Sequence, residues 1–276
     1  MTLKLKSKLP NDRVALITGA SSGFGNLTAL TLSKNGFRVF GTSRRPTTEN
    51  ENGVEMLQLD VSSDESARRC VSNALQKAGR IDILVNNAGQ VLTGALEETS
   101  LDEARTHFET NFFGTVRMVN AILPGMRKRR SGQIINVASM AATFPMPFEG
   151  YYAAAKAALM KYTEALRLEV KNFGIRVSVI EPGFFKTNIT QNKTRAVSTI
   201  DDYEQVRKRV LGVLEESVDG GDDPQKVADT IVRIIESPSP GLHYAVGKEK
   251  RYLLLKRILP ASTLEAQIRK HWRLDG

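Results

Sequence analysis

Val14-Ala-Leu-Ile17-Thr18-Gly-Ala-Ser-Ser-Gly-Phe-Gly25 decides the fold. A short, continuously apolar run is followed at once by a glycine-rich turn, and the pattern beyond it is helical to about Lys34. Uninterrupted apolar runs belong to strands covered on both faces, because a strand with one wet face alternates. Glycines between a strand and a helix let the backbone turn tightly and approach a pyrophosphate, which the free N–H groups and positive end of the helix then hold. Further strands are expected at Arg38–Thr42, Val54–Leu59, Ile81–Val85, Gln133–Val137 and Ile175–Ile180, with a short seventh at Tyr244–Val246. Between them lie helical stretches, the longest covering about 101–129 and 151–173. Ser62-Ser-Asp-Glu65 opens another helix with a capping pattern, and Asp223-Pro224 starts a late one. Short apolar strands alternating with helices give a doubly wound parallel α/β sheet of Rossmann type in a single domain. The segment from about 187 to 221 is polar and poor in strand signals, and reads as an insertion over the C-terminal edge of the sheet.

The composition fits this class. The chain has 276 residues, 41% hydrophobic and 25% charged, enough to bury a core without crosslinks. A single Cys70 excludes an internal disulfide, and His107, His243 and His271 have no ligand-like spacing, so no metal is expected. The net charge of +9 belongs to the ends. Lys4, Lys6, Lys8 and Arg13 against Asp12 give residues 1–13 a sum of +3, and residues 247–276 carry eight Lys or Arg against three acids, +5. The body is therefore near neutral, which argues against a nucleic-acid groove. With no apolar leader pattern and no run of roughly 18 apolar residues, a cytoplasmic protein is expected.

The second strand ends Thr42-Ser43-Arg44-Arg45, without the acidic residue that binds an adenosine ribose in the NAD version of this fold. Serine and arginine hydrogen-bond a 2′-phosphate that a carboxylate would repel. The expected cofactor is NADP, with Ser43 and Arg44 as its reporters. Tyr152 and Lys156 are four residues apart, hence one turn apart on a helix face. An ammonium beside a phenol favours the phenolate and lowers its pKa, so Tyr152 is a candidate proton donor. Ser139 lies thirteen residues upstream. Tyr151 is not equivalent, since its fourth successor is Ala155.

With these motifs in order, the chain resembles the short-chain dehydrogenase/reductase family over roughly residues 11–247. Thr18 to Gly25 matches the family's phosphate turn, so Gly19, Ser21, Ser22, Gly23, Phe24 and Gly25 are implied cofactor contacts. Asp60-Val61 matches the adenine position. Asn86-Asn87-Ala88-Gly89 matches the segment passing along the cofactor, and Pro182-Gly183 with Thr187 the one holding the carboxamide. The resemblance implies that Ser139 binds the substrate oxygen, Tyr152 exchanges the proton, Lys156 tunes Tyr152 and holds the nicotinamide ribose, and Asn111 positions a water. It also implies a homodimer or homotetramer. The expected activity is NADP-dependent hydride transfer between nicotinamide and a carbonyl or secondary alcohol. Apolar Phe144, Met146, Phe148, Phe184 and Phe185 suggest a lipophilic, steroid- or retinoid-like substrate, or equally a loop packed on the body. A cofactor sensor on the same fold is the non-catalytic alternative; its relay need not be intact, whereas here all four residues are present. A membrane-surface alcohol dehydrogenase is another.

Residues 248–276 read as a basic amphipathic extension. Leu264, Ile268 and Trp272 recur every four residues among Arg269, Lys270 and Arg273. Such a helix suits an anionic membrane or its own domain, and docking on its own domain is the favoured expectation.

Overall fold

The computed structural model describes residues 12–46, 51–187 and 193–275; the lysines at 4, 6 and 8, and both outer boundaries of the expected domains, lie outside them. In chain order the elements are β1 (Val14–Ile17), α1 (Gly23–Lys34), β2 (Arg38–Ser43), β3 (Val54–Gln58), α2 (Asp64–Ala78), β4 (Ile83–Asn86), β5 (Leu92–Thr93), α3 (Leu101–Phe108), α4 (Gly114–Arg129), β6 (Gly132–Val137), α5 (Gly150–Val170), β7 (Ile175–Pro182), β8 (Thr194–Arg195), α6 (Glu204–Asp219), α7 (Gln225–Glu236), β9 (His243–Val246), α8 (Tyr252–Ile258) and α9 (Ala261–His271).

Seven strands form one parallel sheet in the order β3-β2-β1-β4-β6-β7-β9. This is the doubly wound Rossmann arrangement. The central strands are buried on both faces because alternate residues serve opposite cores, with Asn86, Gln133 and Asn136 as their hydrogen-bonded polar members. Leu16, Leu84, Ile134 and Val177 enter the core beneath α2 and α4, with Met118, Val119, Ile122 and Met126. Their neighbours Ala15, Ile17, Ile83, Val85 and Ile135 enter the other core, with Ala29 and Leu32 of α1 and Val227, Ile231 and Ile235 of α7. Full burial of each such Leu or Ile contributes about 1.5–3 kcal/mol. The strand order reverses between β1 and β4, which opens a crevice at their C-terminal ends.

Two features differ from the sequence reading, and a third, the docked tail, follows it. The expected helix over 101–129 is two helices joined by a π-turn, Glu109–Phe113. The insertion is not featureless. Thr194 of β8 pairs with Leu92 of β5, and α6 buries Val210, Val213, Leu214 and Val218. That helical spacing is diluted in the sequence by charged residues on the opposite face. The tail forms α8 and α9, and α9 docks on the body: Trp272 is 4% exposed and packs with Val210, Val213, Leu214 and Phe184.

Candidate active site

The turn after β1 is shaped by close backbone approaches. Gly19 has φ +66° and a Cβ there would come within 2.9 Å of the Ala88 Cα. A Cβ on Gly25 would strike the Gly19 carbonyl and the Asn87 amide. Thr18 Oγ1 accepts from the N–H groups of Asn87 and Ala88 at 2.9 and 3.0 Å, and Asn87 Nδ2 donates to the carbonyls of Thr18 and Gly19, each at 3.0 Å. Asn87 thus braces the turn through its side chain. Ser21, Ser22 and Gly23 are exposed at the start of α1, whose first turn carries no acid and whose N-cap makes no side-chain bond. That leaves N–H donors for an anion. The Phe24 ring turns away from this end and packs edge-on against Phe185, centroids 5.3 Å apart.

At the end of β2 the Ser43 hydroxyl is buried with no hydrogen-bond partner among the described residues, and Arg44 is exposed beside it. A buried orphan hydroxyl next to a free guanidinium fits a phosphate-bearing ribose. Asp60 accepts from the Ser62 N–H at 2.9 Å and its hydroxyl at 2.6 Å, which holds the Asp60 carboxyl below its ordinary pKa, with a smaller contribution from Arg44. Val61 is buried against Gly114. Gly89 faces Asn111 Oδ1 and Lys156 Nζ, which a Cβ there would meet at 2.8 and 3.4 Å. Pro182 ends β7, and the Gly183 N–H donates to the Val246 carbonyl at 2.9 Å. A Cβ on Gly183 would overlap the Glu249 carboxylate, which accepts from the Phe184 N–H at 3.3 Å. Thr187 follows three residues after Phe184 at the edge of the described segment.

Ser139, Tyr152, Lys156 and Asn111 come together at the C-terminal edge of β6. Ser139 Oγ accepts from the Ala141 N–H at 3.1 Å and lies near enough to the Tyr152 hydroxyl to favour its ionised form. Lys156 is 5% exposed, donates to the Val137 carbonyl at 3.0 Å, and lies 5.8 Å from the Tyr152 ring centroid. Asn111 is fixed from both ends. Its Nδ2 donates to the His107 carbonyl at 3.1 Å, and its Oδ1 accepts from the Gln90 N–H at 3.2 Å. The π-turn supplies this position, because one extra residue per turn displaces Asn111 toward the crevice.

The electrostatics differ from the expectation for Lys156 and Tyr152. Burial pushes the half-buried Tyr152 up to about 12, the Ser139 hydroxyl pulls the other way, and the Glu149 charge adds to the rise. Burial also brings Lys156 down to about 8. The ammonium is directed at a carbonyl and at the ring, so in this geometry Ser139, and not Lys156, is the neighbour that favours the phenolate. His107 is buried against the Tyr152 ring, centroids 6.1 Å apart, and is brought down to about 4 by burial, then by the charge of Lys156. It is a neutral imidazole at ordinary pH.

One residue of this site escaped the sequence reading, and another entered it only as the end of the 140–149 stretch expected along the substrate. His107 was set aside as an isolated histidine, though it lies one turn before Asn111. Glu149 directly precedes α5 and is 4% exposed. The contacts of the apolar loop follow the second reading, packing on the body. Met146, Phe148 and Phe184 pack with α6 and Trp272, while Phe144 lies under Lys256, 5.6 Å from its Nζ. Phe185 belongs to the sheet core.

A parallel sheet with a phosphate turn at its reversal point and a Ser–Tyr–Lys–Asn cluster at the same edge defines a nicotinamide-dependent oxidoreductase. The model of the short chain dehydrogenase family matches residues 13–198, and the chain belongs to that family. A 3-ketodihydrosphingosine reductase of Bacteroides thetaiotaomicron is 41% identical over 88% of this chain and 91% of its own. Retinol dehydrogenase 8 of Bos taurus is 36% identical over 91% of this chain and 87% of its own. Among solved structures, the closed form of a serine dehydrogenase complexed with NADP+ superposes with a TM-score of 0.74, at 26% identity, over 86% of this chain and 95% of that one.

Proposed function

We propose that this chain is an NADP(H)-dependent reductase of lipophilic ketones, running also as a dehydrogenase of the corresponding secondary alcohols. The observation that carries this is the convergence of Ser139, Tyr152, Lys156 and Asn111 beside the Gly19–Gly25 turn. Bound NADPH supplies the hydride. Ser139 Oγ holds the substrate oxygen, and the Tyr152 hydroxyl delivers the proton to it. Lys156 and the Asn111 side chain hold the ribose and a water at the far side of Tyr152. Ser43 and Arg44 take the 2′-phosphate, consistent with the NADP-bound structural neighbour. The apolar Phe144–Phe148 loop and the names of the two relatives, one acting on a sphingoid ketone and the other on retinol, support a long or bulky apolar substrate. Tyr152→Phe tests the reading: turnover of long-chain ketones falls about a hundred- to ten-thousand-fold while NADPH affinity stays within twofold. Wild-type-like turnover in that variant refutes it. Like its family, the chain is proposed to self-associate through the outer faces of α4 and α5, where Leu168 is 77% exposed.

A second reading concerns location. Among the described residues no helix is long and apolar enough to cross a membrane. Yet α8 exposes Leu254 and Ile258, at 63% and 76%, with Leu255 between Leu254 and the basic Lys256-Arg257. Lys256 also hydrogen-bonds the Thr143 carbonyl, which puts α8 beside the apolar loop. An exposed apolar strip among cations suits an anionic lipid surface, from which an apolar substrate could pass to the site. In sedimentation with phosphatidylglycerol vesicles the wild type is expected to pellet, and the Leu254→Glu/Ile258→Glu variant to stay in solution. No pelleting of the wild type ends the reading, as does a self-association that the same variant breaks.

A further inference from the structure

Glu149 is the one buried acid near the site whose carboxylate has no hydrogen bond or ion pair among the described residues. The other buried acids are matched. Glu98 takes Arg207 and the N–H groups of Ala95 and Ile200. Glu181 bonds His243 at 2.8 Å. Asp82 takes Arg80 and the Val14 N–H. Glu149 stands at the N-cap of α5, where an acid ordinarily accepts from a helix N–H, yet it makes no side-chain cap bond. Only its backbone is used, its N–H donating to the Met146 carbonyl and its carbonyl accepting from the Ala153 N–H. Leu96 covers the adjoining Gly150, and Met146 and Phe148, which precede Glu149 in the chain, pack with α6 and Trp272.

Lys193 is the nearest cation whose charge reaches Glu149, and it forms no ion pair with it. Burial brings Glu149 up to about 7. Its charge is felt at Tyr152, three residues and one helical turn on. For a purely apolar ketone such a group is a defect, since it must be desolvated with nothing in return. It becomes an asset when the substrate brings the missing cation.

We propose that Glu149 is a substrate-recognition residue that pairs with an ammonium group carried close to the reacting carbonyl, so that the preferred substrates are amino ketones with an apolar chain. This rests on the ketone-reducing reading of the site and sharpens it. Pairing also removes from Tyr152 the negative charge that opposes its ionisation. Glu149 contacts the substrate's side group and takes no part in the proton transfer itself.

The test compares a long-chain 2-amino-3-alkanone with the 2-methyl-3-alkanone of equal length, using NADPH and the full chain. A charge-assisted pair in a dry site is worth about 1.5–3 kcal/mol, or roughly a 10- to 150-fold preference in kcat/KM for the amino ketone. Glu149→Gln is expected to abolish that preference through KM, and Lys193→Ala, which removes the cation favouring the Glu149 carboxylate, to weaken it at pH 7 and restore it at higher pH. The wild-type preference should also fall as pH drops below about 7, where Glu149 takes up its proton. Equal use of both ketones by the wild type, or equal losses for both in Glu149→Gln, overturns the assignment. Turnover of neither ketone by the wild type instead refutes the parent reading. Melting curves of the variants separate a folding defect from either outcome, and a Glu149→Asp variant that folds must keep part of the preference.

Discussion

Arg44→Ala isolates the proposed cofactor preference from everything else in the site. The Arg44 guanidinium is exposed at the end of β2, next to the unpartnered Ser43 hydroxyl. A hydrogen bond between two charged partners is worth about 1.5–3 kcal/mol when dry, but solvent around Arg44 discounts it to about 1–2 kcal/mol. Asp60 adds to the effect. Arg44 is one of the cations holding its carboxyl ionised, and removing Arg44 leaves that negative charge unscreened toward a 2′-phosphate. Together these give about 2 kcal/mol, or roughly a 30-fold rise in the KM for NADPH. NADH has no 2′-phosphate and should change by less than twofold. The measurement is initial rate against each cofactor at saturating ketone. Salt supplies an internal control: the wild-type preference for NADPH narrows as ionic strength rises, because an exposed pair is screened, and the variant's small residual preference does not. A parallel loss with both cofactors refutes the argument, since it places Arg44 in the structure and not on the phosphate. So does an unchanged NADPH constant.

The remaining predictions concern stability and the tail. Trp272 is the chain's only tryptophan, so its emission reports the docking of α9 without labels. Blue-shifted native emission is expected, and Trp272→Ala should cost about 3–5 kcal/mol of local or global stability by urea denaturation; native emission like that of free tryptophan contradicts the docked position. His107 makes an acid-side prediction. Its folded pKa near 4 lies below its unfolded value of 6.5, so the unfolded chain binds the extra proton between those values and stability falls as pH is lowered through that window. The loss approaches about 3 kcal/mol at pH 4. His107→Asn should flatten the difference between melts at pH 7 and pH 4.5; an unchanged pH slope rules His107 out as its source.

What was legible in the sequence is what local chemistry dictates. Val14–Gly25 shows a strand, turn and helix because a strand buried on both faces is mostly apolar and the turn admits no Cβ at Gly19 or Gly25. Tyr152 and Lys156 show themselves because helical spacing is fixed. The π-turn at Glu109–Phe113 leaves no such mark: Asn111 is placed by a carbonyl one turn back and by the Gln90 N–H, 21 residues away. The direction of the Tyr152 shift was misjudged for a related reason. Spacing gives the proximity of Lys156 but not where its protons point, and those are directed at Val137.

The cluster around Trp272 is the extreme case, because nothing local determines it. Met146 and Phe148, Phe184, Val210 to Leu214 and Trp272 come from four separate stretches, and each looks like an ordinary apolar residue in its own neighbourhood. Only their convergence shows that α9 docks on α6 and the 146–148 loop, while α8 keeps apolar residues exposed beside the same loop. Beside that cluster an unpaired carboxylate has a meaning that Glu149 lacks in the sequence, where it is one more acid before a helix. In a fold that hosts many substrates on one catalytic frame, the residues that choose among them are those whose polarity conflicts with their surroundings. Glu149, as proposed, is such a residue, one turn from Tyr152, at which its charge is felt.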